Sequence, residues 1–369
     1  MDSIQSIISS SNEKVKITSI YVTIAVMIVV FVLYVIYMMR LRSSECSYMS
    51  SLYPSLNEYI RPISDADPDC KYNLCDYYIK TAYNACSGGS YKNDFVDICN
   101  LKAIIRQGVR CLDFEIYSVT GEPVISSSTV SPFFVKETIN YVSFASAFKT
   151  ICDYAFSSGT TPNSTDPLFI HLRIKSSNQS IYDKMADIFA DNTDRMLGSE
   201  YSFENSGRNL ASYPLTTFIN KIVIIVDKSN TLFLQNQDFL EYVNLTSNSM
   251  FMRKHNYYNI KNNPDVQELT NYNRRGMTIV LPENDSNPSN PSGMLCRAYG
   301  CQFVAMRYQY VDTYLMDNNT LFDKASYAFA LKPEALRYKA VTIAEPTAQD
   351  PALSYQTRTI STDFYSLDT

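Results

Sequence analysis

The sequence predicts an α/β fold, a (β/α)8 barrel preceded by one membrane-spanning helix. Three observations predict it. From residue 76 onward, strand-type and helix-type patterns alternate over about 260 residues, which implies a parallel sheet, and an eight-unit barrel is its commonest closed form at that size. The early strands alternate polar and apolar residues, so one face suits a barrel mouth and the other packs under helices. Upstream, Ile17 to Met39 is a run of about 23 residues without a charge.

Residues 1–16 are short and polar, and are expected to be disordered. The run from Ile17 to Met39 spans roughly 34 Å as a helix, enough to cross the hydrocarbon core. It is too long for a signal-peptide core, and no small-residue cleavage site follows it. Lys14 and Lys16 flank one end, Arg40 and Arg42 the other, so the direction of insertion stays open. The expectation is a single-pass protein with a large C-terminal domain. Residues 40–75 are rich in Ser, Pro and Asp, and read as a stalk or a packed irregular arm.

Asp97 to Gln107 reads as a helix with Ile98, Leu101, Ile104 and Ile105 on one face and Gly108 as its stop. The strand Cys111–Tyr117 follows. Cys111, Asp113, Glu115 and Tyr117 share one face, and Leu112, Phe114 and Ile116 share the other. Two carboxylates on one strand face suit either a solvated sheet surface or a hard-cation site, and both readings stay open. Phe144 to Phe156 reads as the next helix, and Gly159 to Asp166 as turns. Leu168 to Lys175 reads as a strand with His171, Arg173 and Lys175 on one face. Ile181 to Leu197 is expected to be helical. Lys221–Val226 and Gln302–Tyr308 read as buried strands, with a Pro/Asn/Ser loop at Asn284–Ser292. Residues 341–369 read as a polar tail. In a barrel of this kind sites sit at the C-terminal strand ends, where Glu115, Arg173 and Lys175 project.

The net charge of -5 gives no reason to expect a nucleic-acid partner. Trp is absent and Tyr numbers 29, a bias of AT-rich genomes such as those of large DNA viruses or some protists. The 9 Cys exclude complete internal pairing, and no Cys/His spacing suggests zinc. Cys111 reads as a buried thiol. Cys70 and Cys75, in a loop, read as the better disulfide candidates in an oxidising compartment. Sequons at Asn163, Asn178, Asn244, Asn284 and Asn318 shift the expectation toward a lumenal or exterior domain.

At this point a resemblance enters. Ile79–Cys86 resembles I-S-S-S-H-N-T-Y, Arg110–Glu115 resembles R-C-V-E-L-D, and Gly121–Ile125 resembles G-E-P-V-I. Further on, Asn271–Arg275, Gly300–Met306 (G-C-Q-I-V-A-L) and Leu331–Arg337 (L-K-P-E-F-L-R) continue the match in order. Residues 76–340, about 70% of the chain, resemble eukaryotic-type phosphoinositide-specific phospholipase C. The X-like half covers 76–228 and the Y-like half 229–340. The resemblance implies a distorted (β/α)8 TIM barrel of phospholipase C type that cleaves a phosphodiester through two histidines and a calcium ion.

Carried over residue by residue, it places Tyr83 and Ser127 at the two histidine positions. It places Asn84, Asp113 and Glu115 at calcium-ligand positions, and Arg173 where the last ligand, a Glu, belongs. A guanidinium there repels calcium, replaces it as the fixed positive charge, or pairs with Asp113 or Glu115. Thr278-Ile279-Val280-Leu281 offers aliphatic residues where the family recognises the headgroup. Arg173, Lys175, Lys228, Arg274 and Arg275 remain as candidates for an anionic ligand.

The expectation is therefore a membrane-anchored, phospholipase C-like barrel without catalysis, serving as a binding or structural module. Its expected partners are the lipid bilayer, a phosphoinositide or other anionic ligand, and other membrane proteins. For a large DNA virus as source, this extends to the virion membrane and virion proteins. The alternative is an active phosphodiesterase that recruits Tyr83, Asp113 or Glu115 as acid or base. A glycosylated receptor domain is a third expectation.

Overall fold

The apolar run forms the middle of one long helix, α1 (Asp2–Leu52). The computed structural model describes residues 2–130, 134–203, 209–339 and 357–368. Within the helix from Val15 to Leu52, an 18-residue apolar window has a mean hydropathy of 2.8 and is unburied. Two expectations change here. Residues 2–16 are helical rather than disordered, and so are residues 40–52 at the start of the expected stalk. The serines there do not break the helix, because Ser47 and Ser51 return their hydroxyls to the carbonyls of Ser43 and Tyr48. Glu45 and Met49, one turn apart, are buried against the barrel. Beyond Leu52 the chain is an irregular packed arm that buries Ile60 and Ile63.

The strands are β1 (Tyr77–Ala82), β2 (Cys111–Val119), β3 (Glu122–Ser126), β4 (Val142–Ser143), β5 (Leu168–Ile174), β6 (Ile222–Asp227), β7 (Val243–Ser247), β8 (Met252–Asn256), β9 (Met277–Leu281), β10 (Phe303–Met306) and β11 (Phe329–Leu331). Eight of them form the barrel in the order β7-β6-β5-β2-β1-β10-β9-β8, each joined to its neighbour in parallel. No ladder among the described residues joins β7 to β8, so the ring is nearly closed. A hairpin of β3 and β4 extends β2, and β11 pairs antiparallel with β1.

Three helices cover the first half: α2 (Ile98–Arg106), α3 (Phe144–Ala155) and α4 (Ser180–Ala190). Asp97 caps α2 by accepting from Cys99 N, and Gly108 closes its end at φ 71°. The helix expected over 181–197 stops at Ala190. The following Asp191-Asn192-Thr193-Asp194 offers side chains that compete for the backbone, and these residues form turns.

The strand alternation builds two apolar layers. Leu112, Phe114, Ile116, Ile170 and Leu172 face outward under the helices. Cys111, Phe169, Val223, Ile279 and Phe303 face inward and fill the N-terminal half of the barrel. Polar inward residues begin one step higher, at Asp113 and His171.

The cysteine expectation is also corrected. Cys46 of α1 pairs with Cys99 of α2, while Cys70 and Cys75 are buried free thiols. The pairing joins two helices distant in sequence, which loop composition cannot reveal. Three of the sequon asparagines, Asn163, Asn244 and Asn318, are buried, while Asn178 and Asn284 are exposed. The segment Lys339–Thr369 is a separate unit, in which β12 (Thr359–Ser361) and β13 (Ser366–Asp368) form a hairpin. Most of the expected polar tail, residues 341–356, lies outside the described residues.

Candidate functional site

Parallel pairing of β2 with β5 sets Asp113 beside His171 and Glu115 beside Arg173, all facing into the mouth. Between β1 and α2 the chain turns at Asn84, whose φ of 42° is one that Asn tolerates. This turn brings Asn84 N to 3.2 Å from Asp113 Oδ2.

Arg173 organises the site. Its Nε and Nη2 donate to the two oxygens of Asp113 at 2.9 and 2.7 Å. Its Nη1 donates to Glu115 Oε1 at 2.5 Å, and Nη2 also reaches Asn84 Oδ1 at 2.8 Å. The guanidinium lies 4.7 Å over the Tyr83 ring. Both carboxylates are 0% exposed and Arg173 is 6% exposed, so the solvated-face reading does not hold. Burial pushes the Asp113 carboxyl up, but Arg173 and His171 reverse this and hold it well below the usual carboxylate range. Burial disfavours the charged Arg173, and Asp113, Tyr83 and Glu115 outweigh it.

Two carboxylates and an amide are oxygens that a hard cation takes. Here the same oxygens already accept from one guanidinium. Glu115 Oε2 additionally accepts from Tyr117 at 2.6 Å, and Lys175 lies 3.1 Å from Glu115 Oε1. As folded, the Arg173 guanidinium occupies these oxygens, so this donor set does not fit calcium.

Tyr83 and Ser127 are 3% and 0% exposed. Burial pushes the Tyr83 hydroxyl far up, away from any base at neutral pH. Its ring meets Tyr91 edge-on at 5.3 Å. Ser127 Oγ lies 3.4 Å from Tyr91 O.

His171 was placed on the correct strand face by alternation, but the family's own histidine positions gave it no role. In the fold its Nδ1 lies 2.7 Å from Asp113 Oδ1 and its Nε2 2.8 Å from Ser247 Oγ. This Asp–His–Ser connection has the order of a nucleophile relay. Its histidine and serine are 0% exposed, so no substrate reaches the hydroxyl in this conformation.

Above Arg173 a cavity of about 190 Å³ is lined by Phe134, Arg173, Lys175, Asp227, Lys254 and Asn256, among others. Lys254 pairs with Asp227 at 2.6 Å and donates to Ser229 at 2.9 Å. Burial pushes Lys175 down from its ordinary value, against the pull of Glu115. The sequence reading missed Lys254, because β8 carries no clear strand signal of its own, and Asp227, which lies one residue past the expected strand Lys221–Val226. Lys228 lies outside this cavity, with its ammonium 6.0 Å from the Phe203 ring centre. Arg274 and Arg275 do not join the site. They precede β9 at the N-terminal, opposite end of the barrel, where Arg274 binds Ala335 O and Asn271.

The first half of this barrel, residues 70–228, matches the family model described as phosphatidylinositol-specific phospholipase C, X domain. Residues 227–335 match the Y domain. The chain belongs to the phosphatidylinositol-specific phospholipase C family. Among solved structures it is similar to PLC21 of L. pealei, with 18% identity and a TM-score of 0.58 over 73% of this chain and 38% of that one. PLC21 of S. officinalis is similar at 17% identity and a TM-score of 0.57, again over 73% and 38%. The chain thus spans about two fifths of the length of these two phospholipases. A calcium-dependent phosphoinositol-specific phospholipase C from Pseudomonas sp is similar at 8% identity and a TM-score of 0.47, over 72% of this chain and 97% of that one. No curated protein matches the chain.

Proposed function

We propose that this chain is a membrane-anchored phospholipase C-type barrel that does not cleave phosphodiesters and acts as a binding or structural module at a bilayer. One observation carries the reading: the Arg173 guanidinium is held at once by Asn84, Asp113 and Glu115, the positions the family resemblance assigns to calcium. Tyr83 and Ser127 add no proton transfer, and each missing acid or base typically costs about 10²–10⁴-fold in rate. The three cations that line the cavity above the site are also compensated. Arg173 is paired with Asp113, Lys175 with Glu115 and Lys254 with Asp227. Among the described residues lining this cavity, an anionic headgroup therefore meets no cation without a carboxylate partner, which favours a structural role over phosphoinositide capture. A virion membrane is one setting for such a module, suggested by composition alone.

A second reading is favoured by the relay through His171. In it the chain remains a phosphoric diester hydrolase with Arg173 as its fixed cation, and His171 takes the proton after the mouth opens. Both readings are tested by turnover of phosphatidylinositol and its phosphorylated forms by the full chain, with and without calcium. No turnover is expected, with a gain when Tyr83→His, Ser127→His and Arg173→Glu are combined and calcium is added. Turnover in the natural chain that disappears in Asp113→Asn/Glu115→Gln would overturn the first reading. Its loss in His171→Ala would support the second.

A further inference from the structure

Helix α1 does not end where its apolar run ends. It continues to Leu52 and lies along α2, and several contacts fix the register. Arg42 pairs with Asp97 at 2.5 Å, and Cys46 is bonded to Cys99 with Cα atoms 5.7 Å apart. Beyond the helix, Asn57 N donates to Arg106 O at 3.0 Å. Residue numbers rise together along both helices, so α1 and α2 run in the same direction.

That direction sets the side on which the apolar run emerges. α2 begins after the loop that leaves the C-terminal end of β1, so it starts at the mouth and descends toward the opposite end. α1 descends with it. Traced backward from Arg42, Ile17–Met39 leaves the barrel on the mouth side. Phe95, in the loop between β1 and α2, shares a surface cleft with Tyr34, Met38 and Met39. The mouth loops therefore reach the level of the last turns of the apolar run. From Met39 to Glu45 is about 9 Å of helix, close to the roughly 5–8 Å headgroup layer on one side of a bilayer.

The loops on this side carry exposed apolar side chains. Phe134 and Val135 lie between β3 and β4, Tyr258 follows β8, and Val311 follows β10. They are 48%, 63%, 65% and 48% exposed. Aromatic and aliphatic side chains at such a level partition into the interface.

We infer that the clasp between α1 and α2 holds the barrel mouth against the leaflet that α1 enters. The partner of this rim is the bilayer of the chain's own anchor. The inference rests on the reading of Ile17–Met39 as a membrane span.

The chain contains no Trp, so single-Trp variants of the full protein report depth directly. Phe31→Trp tests the span, Phe134→Trp and Val135→Trp test the rim, and Tyr59→Trp marks the opposite end of the barrel. Each is placed in nanodiscs whose phosphatidylcholine is brominated either at the chain ends or near the headgroup. Phe31→Trp is expected to lose most of its fluorescence to chain-end bromine, and both rim probes to bromine near the headgroup. Tyr59→Trp is expected to keep its emission. A quenched Phe31→Trp with both rim probes as bright as Tyr59→Trp overturns the inference and leaves the span standing. An unquenched Phe31→Trp overturns the span and the inference with it. Reducing the disulfide in an Arg42→Ala background is expected to brighten the rim probes and leave Phe31→Trp unchanged. Rim probes that stay quenched after this treatment overturn the role of the clasp.

Discussion

Arg173 grips Asp113 through two parallel hydrogen bonds, Nε to Oδ1 at 2.9 Å and Nη2 to Oδ2 at 2.7 Å, with neither residue more than 6% exposed. A fork of this kind replaces a metal ion as the counter-charge of a carboxylate pair. It also makes the site dependent on one side chain. Arg173→Ala leaves Asp113 and Glu115 buried with reduced compensation, and is expected to destabilise the barrel by about 3–5 kcal/mol. Calcium should recover part of that loss in Arg173→Ala or Arg173→Glu and leave the natural chain unchanged. Thermal unfolding with calcium and with chelator measures this. An equal calcium shift in the natural chain would sink the idea that Arg173 fills the ion's place.

Ser247→Ala removes the hydroxyl that meets His171 Nε2 at 2.8 Å. A buried ring nitrogen without a partner costs about 1–3 kcal/mol. The expected result is a lower denaturation midpoint with an unchanged denaturant slope. Ser247→Thr keeps a hydroxyl and should cost less. If the two variants unfold alike, the bond contributes nothing and His171 is satisfied in another way.

The pH dependence follows from two carboxyls of opposite behaviour. Asp113 is held below the unfolded value, so its contribution is present above the unfolded pKa and is lost as pH falls through the folded one. Asp166 goes the other way. Burial raises it to about 6, against the pull of Arg110. Its contribution is full below the unfolded value near 3.9 and is lost as pH rises through about 6. Each proton contributes a slope of about 1.4 kcal/mol per pH unit within its window. Asp166→Asn should therefore remove a fall in stability between about pH 4 and 6. Denaturant melts across that range check it, and an unchanged slope would remove Asp166 as its source.

Much of the barrel was legible because alternation is a local property. Leu112, Phe114 and Ile116 had to face one way and Asp113 and Glu115 the other, whatever the rest of the chain did. The burial of those carboxylates was not legible. It depends on Arg173 arriving from a neighbouring strand in the matching register, and register is a long-range property. The same limit explains Ser247 as the partner of His171, and Cys46 as the partner of Cys99. Arg274 and Arg275 were misplaced for a simpler reason. They lie before their strand, and only residues after the strands reach the mouth.

The buried sequons make a last prediction that bears on the side of the membrane. Asn163 donates to Gly108 O at 3.2 Å and to Asp166 at 2.8 Å. Asn244 accepts from Ile224 N at 2.9 Å. A glycan on either side chain would have to displace these bonds and the packing around them. Asn178 and Asn284 are exposed and carry no such penalty. In a secretory membrane with the barrel on the lumenal side, endoglycosidase should therefore remove no more than these two glycans. Asn178→Gln and Asn284→Gln together should abolish the shift. A shift that survives both changes would mean that a buried sequon is modified before the barrel closes. The absence of any shift, together with an oxidised Cys46–Cys99 bond, would separate oxidation of the clasp from passage through a glycosylating compartment.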